Sequence, residues 1–167
     1  SARGQQPRSR RTDPPTARTQ CGPCAPRNRA RQGLMRIIAG RWRGRRLTAP
    51  QGLATRPTAD RARQAIFDQL WHAPWAGREA LDGAFVLDAF AGTGAMGLEA
   101  LSRGAARAVF MEQDPAALKA LRANIASCKA EPACQVMAGD VTAPPAASQA
   151  AGLIFLDPPY GLSLIHI

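Results

Sequence analysis

From residue 84 onward the chain alternates short apolar runs with segments of helical period. By this pattern residues 84–90, AFVLDAF, form a buried strand, and residues 94–104, GAMGLEALSRG, form a helix closed by Gly104. Residues 107–112, RAVFME, give a second strand, and 114–129, DPAALKALRANIASCK, a helix with Pro115 in its first turn. A third strand is expected at 134–140, CQVMAGD, and a fourth at 152–157, GLIFLD. Strands alternating with helices at this spacing predict βαβ units, and hence an open α/β sandwich on a parallel sheet with right-handed crossovers. Ahead of it, residues 36–48, RIIAGRWRGRRLT, read as two short strands around Gly40 and Gly44 with arginines on the exposed face. Residues 56–72, RPTADRARQAIFDQLWH, read as a helix capped by Thr58, with Ala62, Ile66, Phe67, Leu70 and Trp71 on one face.

Residues 1–33 break this picture. They contain no Val, Ile, Leu, Met, Phe, Trp or Tyr but five Pro, so they cannot bury enough apolar surface to offset the entropy of ordering. Disorder is expected for residues 1–34. Met35, where ordinary composition begins, is a candidate initiator, which would make the preceding stretch translated upstream sequence; a genuine basic tail is the alternative. The net charge of +10 is equally uneven: residues 1–34 and 35–63 each carry eight Arg against one Asp, and the remainder is net −4. Clustered arginine suits an anionic partner such as nucleic acid, because it neutralises phosphates and releases counterions; a solvated surface is the plainer reading.

No run approaches the ~20 apolar residues of a membrane span, and no apolar stretch follows the N-terminal arginines as a secretory signal requires. Four Cys in a core-forming chain read as cytosolic and reduced, so the expectation is a soluble, intracellular protein. Cys21 and Cys24, in CGPC, match a thioredoxin-like spacing, but no strand precedes them and Pro26 follows, so the match reads as coincidence. Cys128 and Cys134 have no zinc-ligand spacing and read as packing residues. His72 and His166 are not offered as ligands.

Between the first strand and its helix stands DAFAGTGAMG, with Gly92-x-Gly94-x-x-Gly97 and with Glu112 twenty residues after Gly92. On spacing alone this fits the dinucleotide fingerprint, whose helix N-terminus faces a pyrophosphate. S-adenosylmethionine enzymes also bring a glycine loop against an adenosine and place an acidic residue at the end of the second strand. Asp88 favours the second reading over NAD: a carboxylate at that strand end repels a pyrophosphate but suits a cationic amino group. A merely structural glycine turn is the third reading.

The fourth strand runs into Asp157-Pro158-Pro159-Tyr160, and open α/β sheets bind ligands beyond the carboxyl ends of their strands. An exocyclic amine on a base is a poor nucleophile, because its lone pair is delocalised into the ring. A carboxylate and a backbone carbonyl accepting its two N–H bonds favour the pyramidal nitrogen, with its lone pair free for an electrophilic methyl. The two prolines fix the backbone so that the Pro158 carbonyl can point inward, and Tyr160 supplies a face for a flipped base. A plain turn at the strand end is the competing reading.

The stretches MRIIAGRWRGRRLTAP, TRPTADRARQAIFDQL, LDAFAGTGAMGLEALSRGA, FMEQDPAALKALRAN and FLDPPY, in this order, resemble the RsmD-type 16S ribosomal RNA guanine-N2 methyltransferases over residues 35–161. The glycine loop and the DPPY element are common to many amino-methyltransferases; the Arg-rich opening and the RPT-x-D-R helix point to this family. The resemblance implies a Rossmann-like class I fold and transfer of a methyl group from S-adenosylmethionine to N2 of a guanine in small-subunit rRNA, on the small subunit or an assembly intermediate. It implies that Asp88, Gly92 and Gly94 hold the methionine end, Glu112 the ribose, and Asp140 and Val141 the adenine edge, with Phe90 also in the cofactor site. Asp157, Pro158 and Tyr160 would hold the target base. Thr58 would join the cofactor site and Arg56 the RNA surface, both from the helix that closes over the cofactor. Arg36, Arg41, Arg43, Arg45 and Arg46 are assigned to RNA phosphates. No metal is expected, since displacement at a sulfonium methyl needs positioning and charge placement. An amino-methyltransferase of DNA adenine or protein glutamine, and a non-catalytic RNA-binding module, remain as alternatives.

The expected organisation is a basic segment (1–34), an Arg-rich hairpin (35–56) and a methyltransferase domain (57–161). The last six residues, LSLIHI, depart from the family and match the translation of a transposon end used in sequencing libraries. Residues 162–167 are therefore expected to be foreign, and the domain to be a truncated fragment; a divergent natural terminus is the alternative.

Overall fold

The computed structural model describes residues 35–50, 57–74, 76–147 and 149–158. All of these fall within the unit formed by residues 31–167. The basic segment 1–34 with its CGPC, and the closing LSLIHI, lie outside the described residues.

Four strands form one parallel sheet: β1 (Phe85–Asp88), β2 (Arg107–Glu112), β3 (Cys134–Ala138) and β4 (Leu153–Phe155). Their order is β3-β2-β1-β4. The chain winds outward from β1 to β3, then returns to place β4 on the other side of β1, so the winding reverses between β1 and β4. Open sheets bind their ligands at such a reversal, beyond the carboxyl ends of the strands. Asp88 pairs with Phe110 on one side and Phe155 on the other, and Glu112 pairs with Ala138, which fixes which residues reach that edge.

Helix α2 (Ala95–Ser102) joins β1 to β2, and α3 (Pro115–Cys128) joins β2 to β3. The Asp114 side chain caps α3 by accepting the Ala117 N–H at 2.7 Å, and Pro115 fills the first helical position, where no amide donor is needed. Phe110, Val86, Leu98, Leu101 and Leu121 form the centre of the core. A Cβ at Gly97 would sit 2.3 Å from the Phe110 ring, so the absence of a side chain there lets α2 lie directly on β2. Cys128 is buried in the core, and burial pushes the Cys134 thiol up to about 12.

Helix α1 spans Pro57–His72. It begins one residue before the expected Thr58 cap, because the fixed φ of Pro57 suits a first helical position; Thr58 lies in its first turn, and that side chain is outside the described set. Its buried stripe is Arg63, Phe67 and Leu70, whereas Ala62 and Ile66 are exposed and Trp71 is half-buried. The stripe is rotated from the expected one because Arg63 turns inward to meet buried Glu99 of α2. Phe67 packs on Phe155 with ring centroids 5.5 Å apart, under the guanidinium of Arg103.

The Arg-rich opening is a tight turn with one antiparallel bridge, Arg36 to Arg46, rather than two strands. The amides of Ile37 and Leu47 bond across the turn to the Arg45 and Met35 carbonyls, but the ladder goes no further because those of Ile38, Ala39, Arg41 and Trp42 are taken by Glu99 and Ser102 of α2. Both oxygens of the Glu99 carboxylate are used, accepting from Ile38 N–H (2.7 Å) and Ala39 N–H (2.9 Å). Ser102 accepts from Trp42 N–H through Oγ (3.0 Å) and from Arg41 N–H through its carbonyl (2.8 Å). Gly40, at φ +78°, lies so close to the Ser102 backbone that a Cβ there would overlap its carbonyl oxygen. Ile37 and Leu47 drop from this turn into the core, and the arginines Arg36, Arg41, Arg43, Arg45 and Arg46 remain exposed.

Candidate active site

Three carboxylates gather at the carboxyl edge of the sheet: Asp88 ends β1, Glu112 ends β2, and Asp157 follows β4. Asp88 is 2% exposed, and its Oδ2 accepts the Gly97 N–H from the first turn of α2 at 3.0 Å. Among the described residues its other oxygen has no hydrogen-bond partner. Burial, with smaller contributions from the negative charges of Asp157 and Glu112, raises its pKa to about 7, against the lowering effect of the Gly97 amide. Among the described residues no cation forms an ion pair with it, and a positively charged ligand group beside it would be held strongly.

The glycine loop is shaped from both sides. Gly92 and Gly94 have φ of +53° and +79°, and a Cβ at Gly94 would lie 2.4 Å from Leu121. Glu112 pins the loop to β2: its Oε2 accepts the Gly92 N–H at 2.7 Å, while Oε1 accepts from Gln113 and Asp114 N–H, each at 2.8 Å. Beyond β3, exposed Asp140 accepts from the amide and the hydroxyl of Thr142, both at 2.8 Å, and these bonds lower its pKa. Val141 and Phe90 are half-buried. On the β4 side Asp157 is exposed and Pro158 half-buried. Arg56, Pro159 and Tyr160 lie outside the described residues.

The edge therefore brings together Asp88, the glycine loop and Glu112, with Asp157 across the reversal point. A cavity of about 450 Å³ lies elsewhere, between the Arg-rich turn and α1, lined by Arg36, Arg43, Asp60, Arg61, Gln64 and Asp68 among others. None of the strand-edge carboxylates lines it. The buried carboxyl and the reversal of winding make this strand edge, rather than that cavity, the candidate site.

Residues 35–167 match the family model described as Conserved hypothetical protein 95. The chain is 40% identical over 139 residues to the ribosomal RNA small subunit methyltransferase D of Escherichia coli K12, an alignment covering 83% of this chain and 67% of that protein. The same-named protein of Haemophilus influenzae is 36% identical over 137 residues, covering 80% of this chain and 67% of the relative. This chain belongs to the RsmD methyltransferase family. The solved structure of Escherichia coli yhhF matches with a TM-score of 0.62 at 35% identity, over 80% of this chain and 68% of that one. PH1948 of Pyrococcus horikoshii, 22% identical, shares the fold at a TM-score of 0.52 over 69% of this chain and 56% of that one. The architecture is the Rossmann-like fold of class I methyltransferases.

In this RsmD-family chain, sequence reasoning passed over the polar residues that hold the Arg-rich turn against the site. Glu99 is fully buried, accepts Arg103 Nε at 2.8 Å and stands 3.8 Å from Arg63 Nε; Arg63 also pairs with Asp60 at 2.9 Å. Asn124, 1% exposed on α3, bonds to Thr48 and to Thr93 of the glycine loop. The available signal was a glutamate and an asparagine at inward positions of largely apolar helix faces, since buried polar side chains need partners.

Proposed function

We propose that this chain transfers a methyl group from S-adenosylmethionine to the exocyclic N2 of a guanine in small-subunit ribosomal RNA, acting in the cytoplasm as a monomer on the small subunit or its assembly intermediate. The observation that carries the reading is the placing of buried Asp88, with no ion pair among the described residues, and Asp157 on either side of the reversal point of the sheet. The names of the relatives and the exposed arginines of the N-terminal turn favour RNA as the substrate.

The residues fit the cofactor. Asp88 is a buried anion suited to the amino group of its methionine part, and the left-handed bend at Gly92 and Gly94 leaves backbone where side chains would otherwise stand. Glu112 has two lone pairs on Oε2 and uses one for Gly92, so the other is available to a ribose hydroxyl. Phe90, Asp140, Val141 and Thr58 complete the assignment. When bound, S-adenosylmethionine supplies a methyl group activated by a sulfonium. Asp157 and the Pro158 carbonyl accept the two N–H bonds of the guanine amine and so free its lone pair, and Tyr160 stacks on the base. Arg36, Arg41, Arg43, Arg45, Arg46 and Arg56 take RNA phosphates.

Two measurements test this. Calorimetric titration should show binding of S-adenosylmethionine and much weaker binding of NAD; comparable affinities would end the methyltransferase reading. Single-turnover transfer to small-subunit particles lacking the modification should fall by two to three decades in Asp157→Ala, about 3–4 kcal/mol of barrier, with cofactor affinity nearly intact. A near-normal rate in that variant would reduce the DPPY element to a structural turn.

A further inference from the structure

The side-chain amide of Asn124 joins the two surfaces that the proposed function uses. Its Oδ1 accepts the Thr48 N–H at 2.7 Å, and its Nδ2 donates to the Thr48 carbonyl at 3.0 Å and to the Thr93 carbonyl at 2.9 Å. Toward Thr48 the amide behaves like one more residue of a β-ladder, closing both backbone groups just where the chain leaves the Arg-rich turn. Toward the site it holds Thr93, which lies between the left-handed Gly92 and Gly94. Two more contacts run along the same seam. Thr93 Oγ1 lies 3.1 Å from Met35 Sδ, at the start of the turn, and the Arg45 guanidinium donates to the Ser127 carbonyl on α3. Ser127 Oγ in turn donates to the Asn124 carbonyl at 2.9 Å.

We propose that Asn124 is a positioning residue that couples RNA binding at the Arg-rich turn to cofactor binding at the glycine loop. The inference rests on the methyltransferase reading above. Both hydrogens of Nδ2 go to backbone carbonyls on different segments, and Asn124 is buried, so neither segment can shift without leaving a polar group unpaired. A ligand that orders one segment thereby orders the other, and the second ligand meets a loop already set. By linkage the effect is reciprocal: each ligand raises the affinity for the other by the same factor.

The test titrates the full chain with S-adenosylmethionine, with and without a saturating small-subunit rRNA fragment, and then repeats the titration with the ligands exchanged. For the unaltered chain the ratio of the two affinities should be about five-fold or more, and equal in both directions. Asn124→Asp keeps the shape but sets an oxygen against two carbonyls; Asn124→Ser is too short to span both segments and serves where the aspartate variant does not fold. Either variant that retains its melting transition should bind each ligand alone within a few-fold of normal while the ratio falls to about one. A residue that only stabilised the fold would lower the melting temperature and leave the ratio unchanged, and that result overturns the coupling role. An unaltered chain that binds both ligands with a ratio of one also overturns it. Failure of the unaltered chain to bind cofactor at all removes the methyltransferase reading itself, and the coupling with it.

Discussion

Near pH 7 the carboxyl of Asp88 divides between its charged and neutral forms, which makes it sensitive to pH. In the unfolded chain it ionises near 3.8; in the folded chain it keeps its proton up to about 7. Between those values the folded state binds more protons than the unfolded one, so stability from this group is greatest below pH 3.8 and is lost as pH rises through 7. The loss is on the order of 4 kcal/mol over that window, from about three pH units at 1.36 kcal/mol each. Asp88→Asn should therefore remove this contribution to the pH dependence of melting and leave the ligand-free chain more stable than the unaltered one at pH 8. Cofactor binding runs the other way, since the amino group of S-adenosylmethionine needs the charged form. Affinity should rise about ten-fold per unit up to pH 7 and decline above about 8, where α-amino groups lose their proton. Calorimetry at several pH values measures this, and a flat affinity between pH 5 and 7 would show that Asp88 does not face the amine.

Among the elements, those set by burial were legible and those set by remote polar partners were not. Runs such as RAVFME and the period of ALKALRANI announce strand and helix because one face or both must leave water, and β2 and α3 lie where that pattern puts them. Asp88, Glu112 and Asp157 were legible as strand-end carboxylates; the three backbone amides that Glu112 gathers were not, because spacing does not reveal which donors a loop will turn inward. The N-terminal turn was read as two strands because nothing nearby in sequence indicates that the amides of Ile38 and Ala39 belong to a glutamate 61 and 60 residues away. The face of α1 was misjudged for the same reason, since Arg63 is buried only because Glu99 is there to receive it. Glu99→Gln tests the arrangement: one carboxylate oxygen becomes an N–H₂ group facing donors, Arg103 loses its counter-charge, and Arg63 is left with Asp60 alone. Breaking a buried ion pair from one side costs about 3–5 kcal/mol. Denaturant unfolding should show a loss of this size, and a change below about 1 kcal/mol would mean that the turn is held by other contacts.

Across the whole molecule, charge is divided between the opening segments and the sheet. Arg43 and Arg46 are exposed, whereas Arg45 is tied to α3 and Arg63 is buried, so the first two are the arginines to neutralise. Changing both to Gln should lower the salt slope of RNA binding by about 1.4–1.8 in logarithmic units, at about 0.7–0.9 per phosphate contact, with cofactor affinity unaltered. Persistent binding with an unchanged slope would place the phosphate contacts elsewhere. The long-range fastening of the N-terminal turn also bears on how the chain is made. A ribosome adding about 5–20 residues per second delivers Glu99 roughly 3–12 s after Ile38, and Asn124 later still. Through that interval Ile37 and Leu47 have no core to enter, and the peptide groups of Ile38, Ala39 and Thr48 can bond only to water. The part of the chain synthesised ahead of the sheet is thus among the last to acquire its structure, and its arginines keep the waiting segment in solution.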